Sequence, residues 1–72
     1  MQAFGKLRGR LHELGLHQQD IANALGLSNS AVSHRFHRLT PWTLQEMYAI
    51  LDLCRAKPEE MHIYFPREEA QP

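Results

Sequence analysis

The stretch "HQQDIANALGLSNSAVSHRF", His17 to Phe36, decides how this chain folds. It holds two short helical patterns joined only by Gly26, Leu27 and Ser28. An antiparallel hairpin would gather its apolar residues on two facing stripes. Here Ile21, Ala22, Leu25, Leu27, Val32 and Phe36 are spread over both segments and the joint itself, so the two helices must cross steeply and share one small core. The joint has the chemistry for that bend. Gly26 is free to take positive φ after Leu25, Leu27 drops into the core, and the Ser28 hydroxyl can cap the exposed amides of the next helix. The spacing predicts helices over 18–25, with Asp20 favourably placed in the first turn, and over 29–37.

Outward from this centre the pattern stays helical. Phe4, Leu7, Leu11 and Leu14 recur at helical spacing and Gly15 stands where a left-handed helix end is usual, which predicts a first helix over 3–14. Gly5 and Gly9 weaken it by about 1 kcal/mol each relative to alanine, so packing must hold it. Lys6, Arg8 and Arg10 are expected to project away from its leucine stripe. On the other side, "TPWTLQE" (40–46) restarts the chain: Pro41 ends any helical continuation and Thr43 to Glu46 matches the capping box. A fourth helix over 44–53 presents Leu44, Met47, Tyr48, Ile50 and Leu51 as a broad apolar face. "KPEEMHIYFP" (57–66) reads as a short helix opened by Pro58, acidic in its first turn and closed by Pro66. The expected architecture is all-α: a five-helix domain over 1–65, with 66–72 a frayed polar tail. Its core is expected to be Leu7, Leu11, Ala22, Leu25, Val32, Phe36, Leu44, Met47, Ile50 and Leu51.

Seventy-two residues make one small domain, and a chain of this size buries only about 60% of its unfolded surface. That leaves little room for an enclosed active site. The single cysteine, Cys54, excludes an internal disulfide and a multi-cysteine zinc site, fits a reducing cytoplasm, and reads as a small buried apolar residue. No apolar run approaches the roughly 20 residues of a membrane span, and the N-terminus has no apolar stretch of signal-peptide type, so a cytoplasmic protein without membrane contact is expected. The formal net charge of zero hides an asymmetry. Residues 1–38 hold five basic against two acidic groups and residues 39–72 three against six, giving +3 and −3, with four of five histidines on the basic side. A zero total makes strong nonspecific attraction to nucleic acid unexpected, yet a local basic face is what meets phosphate.

The arrangement from Gln18 to His37 resembles the helix-turn-helix of the Cro/repressor (XRE) family. With "PWTLQE" (41–46) and the closing "IYF" (63–65), the likeness to small phage-type members runs from about Leu7 to Phe65. The resemblance implies a lambda-repressor-like fold and a sequence-specific transcriptional regulator on double-stranded DNA, with the third helix in the major groove. Asn29, Ser30, Ser33, His34 and His37 share one face of that helix and are the implied base-reading residues. Gln18, at the start of the second helix, with Arg35, Arg38, Arg8 and Arg10 beside it, would hold phosphates. The chain departs from the family pattern at three caps: His17 replaces a serine or threonine, Arg38 a glycine and Lys57 the usual cap of the last helix. Each change costs on the order of 0.5 to 1 kcal/mol.

Other chemistries find little support. His34 and His37, three residues apart, are two metal ligands without a third, and no serine, cysteine or carboxylate stands in a catalytic constellation. No enzyme, metal or cofactor is expected. An alternative function keeps the fold and changes the partner: a protein-interaction module of antirepressor type that binds a phage repressor instead of DNA. A homodimer would match two half-sites; if one forms, the apolar residues left over, Trp42, Met61, Ile63 and Tyr64, are the candidates for it, with packing as core the equal alternative for Trp42 and Tyr64.

Overall fold

The computed structural model describes residues 3–67, so the tail expected over 66–72 lies outside them from residue 68 on. Within them the chain is all-helical with no strand. Helix α1 spans Gly5–Glu13, α2 Gln18–Leu25, α3 Asn29–Phe36 and α4 Leu44–Leu53, and a 3-10 turn at Pro58–Glu60 runs into α5, Met61–Tyr64. No helix among the described residues is long and apolar enough to cross a membrane.

Local chemistry starts these helices as the sequence foretells. The Ser28 hydroxyl accepts the Ala31 amide at 3.1 Å. At α4 the Thr43 hydroxyl accepts the Glu46 amide (3.1 Å) while Glu46 Oε1 accepts the Thr43 amide (3.0 Å), which closes the capping box. At α2, where the N-cap His17 has no hydroxyl to offer, Asp20 supplies the other half of the cap: its Oδ2 accepts the His17 amide at 2.7 Å.

The four long helices end alike. In each, an amide two or three residues past the last helical residue reaches back to a carbonyl five residues earlier: Leu16 to Leu11, Leu27 to Ala22, Leu39 to His34 and Ala56 to Leu51, at 2.8 to 2.9 Å. The residue before it is left-handed in every case. Gly15 and Gly26 take it without a Cβ penalty (φ 70°), whereas Arg38 and Arg55 take it at φ 63° and 59°. The Arg38 departure from the expected glycine is therefore a real backbone cost and not a different turn.

The core gathers Leu7, Leu11, Ile21, Ala22, Val32, Ile50, Leu51 and Cys54 around four aromatic rings. Phe4, Phe36, Trp42 and Phe65 meet edge to face with centroids 5.4 to 6.5 Å apart. Each such pair adds about 0.5 to 1.5 kcal/mol beyond the area it buries. Phe4 and Phe65 lie at opposite ends of the domain in sequence, so this cluster fastens both ends to α3.

Several expectations are corrected. Helix α1 starts at Gly5, not at residue 3, because Phe4 adopts left-handed φ (59°) to turn its ring inward. Helix α3 ends at Phe36, with His37 as its C-cap, and the last segment divides into a 3-10 turn and one α-turn. Leu44, expected in the core, is 59% exposed, and Tyr48 on the same side of α4 is 45% exposed. Trp42, just ahead of the Thr43 cap, is the enclosed residue of this stretch instead, packed against Phe4, Phe36 and Phe65. Of the two readings open for Trp42, core or dimer surface, its burial selects the core. Leu25 and Met47 are half-buried against the core, not enclosed in it.

Candidate functional site

Helix α3 is amphipathic across its axis. Val32 and Phe36 are enclosed, while Asn29, Ser30, His34 and His37 are exposed and Ser33 is half-buried. Four of the five residues singled out from the sequence are therefore exposed between the start of α3 and its C-cap, and Ser33 only partly so. Its hydrogen-bonding groups are short. His37 Nδ1 lies 2.8 Å from the Ser33 carbonyl oxygen, so in the tautomer that donates this bond Nε2 is left as an acceptor.

The arginines fare unequally. Arg35 is 14% exposed and committed: Nε donates to Glu46 Oε1 (3.0 Å), Nη2 to Glu46 Oε2 (3.3 Å) and Nη1 to the Ala31 carbonyl (3.0 Å). This bidentate pair bolts α3 to the first turn of α4. Partial burial works to raise the Glu46 carboxyl, but the Thr43 amide and the Arg35 guanidinium outweigh it, and the group sits below its ordinary value of 4.5. Arg10, expected to project outward, instead turns in and donates from Nε to the Cys54 carbonyl at 3.2 Å. Burial raises the Cys54 thiol, with the nearby Arg10 charge acting in the opposite direction. Arg8 also departs from the outward expectation. Its Nε donates to the Ala3 carbonyl (2.9 Å) and its guanidinium carbon lies 4.8 Å from the Phe36 ring centroid. Arg38 is exposed just beyond α3 and Lys6 is exposed on α1.

A groove of about 340 Å³ opens between α1 and the start of α2. Arg8, His12, His17 and Gln18 supply its polar groups, and Leu11, Leu16 and Phe36 its apolar lining. It brings together two residues the sequence assigned to phosphate, Arg8 and Gln18, and joins them to the end of α3 through Phe36. Sequence reasoning missed His12 and read His17 only as a poor cap. The available signal was the i, i+4 spacing of Arg8 and His12 on one side of α1, next to a short turn ending in His17.

Comparison with protein-family models, with curated proteins and with solved structures finds no match.

Proposed function

We propose that the protein is a sequence-specific DNA-binding transcriptional regulator of the phage or prophage Cro/repressor type, with α2, the Gly26–Leu27–Ser28 joint and α3 as its helix-turn-helix. The observation that carries this reading is the exposed polar surface of α3: Asn29, Ser30, His34 and His37 stand exposed while Val32 and Phe36 are enclosed. A helix in the major groove needs hydrogen-bonding side chains in that position, above all at its N-terminal end. Gln18 and Arg8 of the groove, with Arg38 beyond α3, are the phosphate-holding residues of this reading. Arg35 and Arg10 act by positioning, through Glu46 and the Cys54 carbonyl. The test is binding to labelled duplexes, beginning with DNA flanking the protein's own gene. Arg38→Ala should weaken binding on all sequences and lower the salt slope by about one ion, while Asn29→Ala and His34→Ala should cost about 1 to 3 kcal/mol on the cognate site alone. Equal binding by parent and all three variants would sink the proposal.

A second reading, a protein-interaction module of antirepressor type, draws on the exposure of Leu39 (70%), Leu44 (59%) and Tyr48 (45%). Its discriminating result is capture of a repressor by a protein that shows no salt-dependent DNA binding.

A further inference from the structure

The groove between α1 and α2 holds more than a phosphate contact uses. An anion at its rim would engage Arg8, Gln18 and the two histidines and leave the apolar lining idle. Leu16 is half-buried there, and Leu11 and Phe36 close the bottom. A volume of about 340 Å³ falls within the range of small-molecule sites, roughly 300 to 1,000 Å³, which are largely apolar with a few fixed polar groups. Arg8 is such a group, held in place by the Ala3 carbonyl and the Phe36 ring before any ligand arrives.

From this pairing we infer that the groove binds a small organic anion with a compact apolar body, of the aromatic carboxylate class. The body lies against Leu16 and the floor beneath it, and the carboxylate faces Arg8, His12, His17 and Gln18. No carboxylate lines the groove among the described residues. The two acids nearest in sequence are Glu13, exposed beside His12, and Asp20, whose Oδ2 accepts the His17 amide. They temper the positive potential without filling the site. Because Arg8 and Gln18 are also phosphate-holding residues in the DNA reading, an occupied groove would compete with the DNA backbone and make the anion an effector. That regulatory half rests on the DNA reading; the binding site does not.

The test uses three probes without DNA: 1-naphthoate, 1-naphthalenemethanol as its uncharged analogue, and acetate as the anion without a body. Naphthoate, whose charge is constant from pH 6 to 8, should bind roughly tenfold or more tighter than either control. Backbone amide shifts should centre on Leu11, Leu16, His17 and Gln18. Replacing the two exposed groove histidines together, His12→Gln with His17→Gln, should weaken naphthoate severalfold, and unchanged affinity would overturn their place in the site. Acetate or naphthalenemethanol matching naphthoate, shifts centred elsewhere, or no saturation in the millimolar range would each overturn the site. In a second arm, saturating naphthoate should release a bound duplex. A duplex that stays bound, or a protein that binds no duplex, overturns the effector role while the direct titration still judges the site.

Discussion

The Arg35–Glu46 pair offers the sharpest quantitative prediction, because it separates what holds the fold from what meets a partner. An exposed ion pair contributes about 0 to 1 kcal/mol, but this one is bidentate, with side chains only 14% and 16% exposed, and hydrogen bonds to charged groups contribute about 1.5 to 3 kcal/mol net. A coupling energy of about 2 kcal/mol follows. In a domain of this size Arg35→Ala should lower Tm by roughly 8 to 16 °C, since 1 kcal/mol corresponds to about 4 to 8 °C. The assay is a double-mutant cycle of Arg35→Ala and Glu46→Gln by urea denaturation, with the single tryptophan, Trp42, buried and reporting through its fluorescence. The pH dependence has a definite sign. Glu46 is depressed in the folded state, so its contribution is complete above about 4.5 and fades as pH falls through the folded pKa. Glu46→Gln should flatten that acid limb. Single-mutant losses that add to within about 0.4 kcal/mol would refute the coupling, and Arg35 would then be available to phosphate.

Three further outcomes follow from the packing and the turns. Ala22→Glu should unfold the domain, seen as loss of helical circular dichroism, because a carboxylate would be enclosed unpaired where Ala22 is only 3% exposed; a stable helical variant would show that α2 and α3 do not cross there. Arg38→Gly should raise stability by about 1 kcal/mol in denaturant unfolding, since it relieves a left-handed φ of 63°, and an unchanged or lowered midpoint would contradict the strain. In sedimentation with cognate DNA the protein should form a dimer through Met61, Ile63 and Tyr64, with half-sites about 34 Å apart; a strict monomer on DNA at high concentration would reject it.

The fold was legible where its determinants are local. Ser28 with Ala31, Thr43 with Glu46 and the Gly26 turn each lie within a few residues, and the caps form as read. Long-range choices were not legible. Arg10 finds the Cys54 carbonyl 44 residues away, and nothing in α1 alone distinguishes that from pointing into water. Periodicity placed Leu44 in the core stripe, but Trp42 is enclosed and Leu44 exposed, a choice that depends on how residues 37–43 lead into α4. The polar side of α3 was legible from spacing. The groove was not, because it joins α1, the following turn and Phe36, three places whose proximity exists only once α1 is docked.

The central claim is that α3 reads DNA sequence, and selection from a library of randomised duplexes with the purified protein tests it most directly. The expected result is enrichment of one recurrent half-site, bound with an affinity that falls steeply as salt rises and that loses its sequence preference in Asn29→Ala and His34→Ala. A selection that converges on no motif, from a protein whose binding to any duplex is insensitive to salt, would contradict it.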